Sequence, residues 1–105
     1  TGVVMSTDND VLPGVFRLHQ NYPNPFNPET MIQFDVPQRV DLILSVYDLL
    51  GRKVKTLVQD NLDIGSYSVK WSGLSDTGEM LPSGMYFYEL NSSKFHSVKK
   101  LILVK

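Results

Sequence analysis

The sequence contains no cysteine and two histidines, which excludes several kinds of chemistry. Without cysteine there is no disulfide, no thiolate nucleophile and no cysteine-ligated metal. The longest apolar run, 101–104, has four residues, whereas a membrane-spanning helix requires about 20. The excess of basic charge that nucleic-acid binding uses is also missing, because ten basic side chains face eleven acidic ones. We therefore expect no metal site, no cofactor, no nucleic-acid partner and no small-molecule substrate.

The length and composition indicate one globular domain that is preceded by a short polar segment. The chain has 105 residues, of which 42% are hydrophobic and 20% charged, which is typical of a single folded unit. Residues 1–15 lack the basic start and apolar stretch of a signal peptide. We predict that 1–15 is a linker from an upstream parent protein, that 16–105 form the domain, and that any export signal lies further upstream.

Alternation of apolar and polar residues predicts strands along the whole domain, with no amphipathic helix. Glycine, proline and asparagine mark the turns between them. The predicted strands are 16–20, 30–36, 40–47, 52–58, 66–71, 85–90 and 95–104. Strand 52–58 has an irregular pattern that suggests a bulge or an edge position, and strand 85–90 is apolar on both faces, which indicates a central strand. The expected fold class is all-β, an antiparallel Ig-like β-sandwich of about seven strands without a disulfide.

The inward-facing positions of these strands form the predicted core. Trp71 alternates with Tyr67 and Val69, which favours a core position over a sugar-binding platform. Tyr86 and Tyr88 are expected in the core with their hydroxyls at the rim. The predicted core positions are Phe34, Leu44, Val46, Val69, Trp71 and Tyr88.

A proline-rich segment precedes the strand at 30–36 and is too poor in backbone donors to be a strand itself. It allows two interpretations: a rigid cap in which Tyr22 and Phe26 close one end of the sandwich, or a docking surface for a partner. The loop positions are Asn21, Tyr22, Pro23, Asn24, Pro25, Phe26, Asn27 and Pro28.

Five blocks of sequence, taken in order, carry a resemblance to a known family. They are Leu18–Thr30 (LHQNYPNPFNPET), Val46–Val54 (VYDLLGRKV), Gly65–Gly73 (GSYSVKWSG), Pro82–Leu90 (PSGMYFYEL) and Lys99–Lys105 (KKLILVK). Together they resemble the type A C-terminal sorting domain of the bacterial type IX (Por) secretion system, which is related to the Ig-like module of flagellar hook-capping proteins. The resemblance covers about 16–105.

This resemblance implies a transport address that acts by recognition, without catalysis. The implied partners are the outer-membrane secretion machinery, a sortase-like peptidase and an upstream cargo domain. The implied destination of the cargo is the medium or the cell surface, reached through the periplasm. In this interpretation the last strand presents its edge or its lysines to the machinery, a form of strand addition. The expected recognition residues are Gly84, Tyr86, Leu90, Lys99, Lys100, Leu101 and Lys105.

Two alternatives remain open at this point. The domain could be a carbohydrate-binding accessory module of a secreted enzyme, which predicts a row of exposed aromatic side chains. It could also be a structural Ig-like spacer, for which a position at the chain terminus would not matter.

Overall fold

The computed structural model describes residues 2–5 and 12–105, which form eight β-strands. The strands are β1 (Val4–Met5), β2 (Arg17–Leu18), β3 (Thr30–Val36), β4 (Val40–Tyr47), β5 (Lys53–Leu62), β6 (Gly65–Trp71), β7 (Gly84–Ser92) and β8 (His96–Leu103). They build two antiparallel sheets, β1-β6-β3-β2 and β5-β4-β7-β8. The predicted all-β sandwich is confirmed. No helix in the described ranges is long and apolar enough to cross a membrane.

Two strands agree with the predictions to the residue, and most of the others differ by one or two residues at their ends. β3 and β4 have the predicted bounds, β7 lies between β4 and β8, and β5 is an edge strand as expected. β5, however, continues to Leu62 instead of ending at Val58. Opposite Leu44–Ser45 and Val46–Tyr47 of β4, the register with β5 shifts by one residue each time, so Leu57 and Val54 are extra residues of β5 and the predicted bulge lies in this strand. The extension to Leu62 comes instead from regular pairing of 59–62 with 40–43 of β4.

Part of the predicted linker belongs to the fold. Val4 and Met5 pair with Ser68 and Tyr67 of β6 and so occupy the edge of the first sheet. The linker prediction is therefore wrong for these two residues, and the sheet gains a strand because β6 has an unpaired edge that a short segment can cover. The prediction for 6–11 lies outside the described residues.

The core lies between the inner faces of the two sheets. All six predicted core residues are buried, from fully buried Phe34, Leu44, Val46 and Tyr88 to Val69 and Trp71 at 2% exposure. Trp71 donates its Nε1–H to the Leu74 carbonyl at 2.9 Å. A tryptophan buried in this way cannot serve as a sugar-stacking platform.

Candidate recognition surface

The proline-rich segment 21–28, here called the signature loop, is anchored by one aromatic side chain and displays another. Phe26 is 1% exposed, and its ring centroid lies 5.6 Å from that of Trp71. The Trp71 ring meets Tyr86 edge to face at 6.0 Å. Tyr22, in contrast, is 80% exposed. The predicted cap is therefore right for Phe26 and wrong for Tyr22, which projects into solvent.

Buried hydrogen bonds fix the start of the signature loop to both sheets. The Tyr88 hydroxyl, on β7, donates to the His19 carbonyl at 2.7 Å and accepts the Asn21 N–H at 2.8 Å. The Asn21 side chain donates to Thr30 Oγ1 at 3.0 Å and to the Pro23 carbonyl at 3.2 Å. Burial raises the pKa of Tyr88 to about 12, so the phenol stays neutral. Asn21, itself 2% exposed, thereby holds the loop in one conformation.

Three peptide bonds of the loop, those preceding Pro23, Pro25 and Pro28, are cis.

The signature loop covers the free edge of β8. Three hydrogen bonds join the loop to β8 and the residue after it: Phe26 N–H to Ile102 C=O (3.0 Å), Val104 N–H to Phe26 C=O (3.0 Å) and Ile102 N–H to Asn24 Oδ1 (2.9 Å). Just before the loop, Gln20 Nε2 donates to Lys100 C=O at 2.8 Å. Because these bonds use the outward backbone groups at 102–104 and the carbonyl at 100, a partner strand cannot add there without displacing the loop. The expectation of strand addition at this part of the edge is therefore wrong.

The sequence blocks that resemble the sorting domains converge on one end of the sandwich, which we call the signature end. There β3, β5 and β7 begin and β4, β6 and β8 end. It comprises the signature loop, the β4–β5 turn at 48–52, the connection 72–83 and residues 104–105. The fold thus brings together segments that lie far apart in the sequence.

The β4–β5 turn at this end is tightly built and displays two leucines. Asp48 Oδ1 accepts the N–H groups of Leu50 (2.9 Å) and Arg52 (3.0 Å), and the Arg52 guanidinium meets Asp48 Oδ2 at 2.8 Å. These bonds, above all the one from the Arg52 backbone, lower the pKa of Asp48. Gly51 has φ 80°, a conformation that glycine tolerates best. Leu49 and Leu50 are 64% and 77% exposed, and sequence reasoning did not single them out.

The connection 72–83 joins the other parts of the signature end. The Tyr86 hydroxyl donates to the Pro82 carbonyl at 2.6 Å, and the Lys105 N–H donates to Ser83 Oγ at 2.9 Å. An open groove of about 500 Å³ runs between this connection and the β4–β5 turn. Its lining includes Leu49, Leu50, Lys53, Pro82, Gly84 and Met85.

The seven expected recognition residues fall into two groups. Tyr86, Leu90 and Leu101 are buried, so their side chains contribute to packing. The other four have partly or fully exposed side chains or backbone: Gly84, Lys99, Lys100 and Lys105. Gly84 and Lys105 lie at the signature end, whereas Lys99 and Lys100 lie midway along β8. Gly84 adopts φ 153°, a backbone conformation that L-residues rarely take.

The described ranges hold no cluster of three or more histidine or carboxylate side chains arranged for a metal ion.

The sequence and the fold both match proteins of bacterial secretion. The family model described as a secretion system C-terminal sorting domain matches residues 20–105. A search of curated proteins finds no match.

Two solved structures, both from Porphyromonas gingivalis, share the fold. Dimeric latent PorU is 21% identical, with a TM-score of 0.67, over 91% of this chain and 10% of PorU. PorZ, an essential surface component of the type IX secretion system, is 19% identical, with a TM-score of 0.55, over 84% of this chain and 11% of PorZ. The chain thus spans about a tenth of each of these proteins.

Proposed function

The chain belongs to the family of secretion system C-terminal sorting domains, and we propose that the export machinery recognises the folded domain at its signature end. Such domains are C-terminal secretion signals of the type IX system, which carries cargo across the outer membrane to the medium or the cell surface. We further propose that this domain acts by recognition without catalysis, and that a sortase-like peptidase afterwards separates it from the cargo.

One observation carries the proposal: the first and last blocks of the resemblance form a single surface. The signature loop and the end of β8, about 80 residues apart in the sequence, are joined by backbone hydrogen bonds at Phe26. A partner that binds this surface contacts both blocks at once. It can do so only in the folded chain, because the hydrogen bonds at Phe26 that join the two blocks form on folding. Folding-dependent recognition would suit a domain that is exported through the periplasm.

Tyr22 is the strongest candidate for an anchor residue on this surface. Its side chain is 80% exposed, and solvent-exposed tyrosine contributes little to the stability of an isolated domain. The loop beneath it is held rigidly by Asn21 and Phe26, so little conformational entropy would be lost when a partner binds. Tyrosine is also one of the residues enriched at the energetic centres of protein interfaces.

The signature end carries charges of both signs, with Arg52 and Lys105 beside Asp48, Asp76 and Glu79. Lys105 is exposed next to Ser83 and is the charged side chain that we assign to recognition at this end. Rim charges of this kind mainly steer association and make it dependent on salt. We assign Gly84 a different contribution: it lines the groove beside the β4–β5 turn, where the missing side chain leaves room for a partner.

Site-specific photo-cross-linking tests this assignment. A photoreactive phenylalanine analogue is placed at position 22 or 105, and as a matched control at Lys94, which is exposed in the β7–β8 turn at the opposite end. The domain is expressed as a C-terminal fusion in a bacterium that has the secretion system. We expect cross-links to an outer-membrane protein from positions 22 and 105 and none from 94. Equal yields from all three positions, or cross-links from position 94 alone, would overturn the proposal.

A further inference from the structure

The outer face of the second sheet, the side turned away from the core, is apolar over a wide area. Met85, Val98 and Ile102 are 36%, 49% and 37% exposed there. Phe87 lies next to Met85 on the outer face of β7, and the strand register places Tyr47 of β4 opposite Phe87. Leu49, from the β4–β5 turn, extends the same patch and helps line a shallow cavity of about 360 Å³ together with Tyr47, Phe87 and Val98. This apolar outer face adjoins the recognition surface proposed above and shares Leu49 and Met85 with it.

Lysines frame this face on both sides. The register aligns Lys53, Tyr47, Phe87 and Lys100 in one row across the four strands β5, β4, β7 and β8. Two aromatic rings thus lie between two cations, with the aliphatic side chains of Met85 and Ile102 beside them. Lysine stems of this kind cover apolar surface while the ammonium groups reach for anions.

The acidic groups on the same face are already engaged. Glu89, in the row next to Tyr47 and Phe87, accepts the Tyr47 hydroxyl at 3.2 Å and contacts His96 Nε2. Asp41 lies at the far end of the face and accepts the Asn61 side-chain N–H at 2.8 Å. Both carboxylates keep their negative charge, but the two lysines of the aromatic row outnumber Glu89, the one carboxylate in the row beside it.

We propose that the apolar outer face docks onto a membrane surface that contains anionic phospholipid. Aromatic and aliphatic side chains between lysines match the layered chemistry of such a surface, in which acyl chains lie next to anionic head groups. Tyr47, with an apolar ring and a polar tip, suits the interface between the two layers.

The sheet geometry favours a membrane over a polypeptide as the occupant. β4 and β7 are central strands with their backbone groups used in the ladders to their neighbours, so this face offers a peptide no backbone pairing. The cavity over Phe87 is open and shallow, whereas protein anchor residues need enclosed pockets. A flat face can instead lie along a bilayer.

Vesicle co-sedimentation with the whole chain tests the proposal. The probes are vesicles of phosphatidylcholine with 30% phosphatidylglycerol and vesicles of phosphatidylcholine alone. We expect binding to the anionic vesicles, and about a fivefold lower partition coefficient for each of Lys53→Gln and Lys100→Gln, because one basic side chain near such a surface contributes about that factor. Lys70→Gln is the matched control, since Lys70 is an exposed lysine of the first sheet, and it should leave the partition coefficient unchanged.

A second measurement reports on the apolar part of the face. Phe87→Trp places a fluorophore on it, and we expect brominated lipid in anionic vesicles to quench this tryptophan more strongly than the buried Trp71 of the unmodified chain. Three results would overturn the proposal: no sedimentation with anionic vesicles, equal losses for Lys70→Gln and Lys53→Gln, or sedimentation without quenching at position 87. Because purified lipid is the only partner present, these results do not depend on recognition by the export machinery.

Discussion

Tyr88→Phe should destabilise the domain more than any other removal of a single tyrosine hydroxyl. The Tyr88 hydroxyl is the hydrogen-bond partner of both the His19 carbonyl and the Asn21 N–H, so it ties β7 to the segment that leads into the signature loop. Phenylalanine fills the same space, and the change therefore creates no cavity. It leaves one donor and one acceptor without their partner in the structure, at a cost of roughly 1–3 kcal/mol each. Since Asn21 is buried and His19 is only partly so, we expect a total of about 2–4 kcal/mol.

Urea unfolding followed by tryptophan fluorescence measures this cost as a shift in the midpoint at constant slope. Tyr86→Phe is the matched control, because the Tyr86 hydroxyl makes one bond, to the Pro82 carbonyl, and should cost about 1 kcal/mol. The reasoning would be refuted if Tyr88→Phe cost no more than Tyr86→Phe.

Three further predictions concern the same structure. The folded state favours the neutral Tyr88 phenol, because burial raises its pKa from 10.0 to about 12. The stability that this phenol contributes is complete below pH 10 and falls by about 3 kcal/mol as the pH rises towards 12. Urea titrations at each pH should therefore show a smaller alkaline loss for Tyr88→Phe than for the unmodified chain, the remainder coming from Tyr67 and Tyr86, whose pKa values burial also raises. Phe26→Ala should cost about 3–5 kcal/mol, as deletions of buried aromatic side chains do, whereas Tyr22→Ala should change the unfolding free energy by less than about 0.5 kcal/mol; similar costs for the two would contradict the loop geometry. Asp76→Ala removes the acceptor of the Thr56 N–H at the edge of β5, so we expect a loss of about 1 kcal/mol in the unfolding free energy. Because the uncovered strand edge can then pair with another chain, the variant should also aggregate faster, as measured by light scattering. An unchanged aggregation rate would contradict the role of Asp76 in covering this edge.

Strand alternation predicted the regular part of the fold because it is a local property. In β3 and β4 successive side chains point to opposite faces, so the sequence alone located their bounds and core residues. The same alternation, applied to Leu101 between Lys100 and Ile102, places its side chain inward, as the structure does. Leu101 was assigned to recognition because of the family resemblance. A sequence resemblance does not distinguish a residue that contacts a partner from one that packs in the core.

The geometry of the proposed recognition surface could not be derived in this way because it depends on distant contacts. The signature loop lacks the alternation of apolar and polar residues by which strands are predicted. Phe26 rather than Tyr22 is buried because Phe26 packs against Trp71, which lies more than 40 residues away in the sequence. The covered edge of β8 has the same origin, since Asn24 and Phe26 reach it only when the two sheets are packed. The extension of β5 depends on the pairing of 59–62 with 40–43 of its partner β4, which the pattern of a single strand does not specify.

The most direct test of recognition at the signature end measures the exported fraction of a reporter fused to the amino end of the domain. The double variant Tyr22→Ser/Lys105→Gln removes an exposed apolar side chain and a lysine from the signature end. Val15→Ser/Lys94→Gln removes the same kinds of groups from the opposite end, and both variants should unfold at the temperature of the unmodified domain. We predict that the first lowers the exported fraction about tenfold or more, the effect of losing an interface anchor, and that the second leaves export unchanged. Equal export of the two variants would contradict recognition at the signature end.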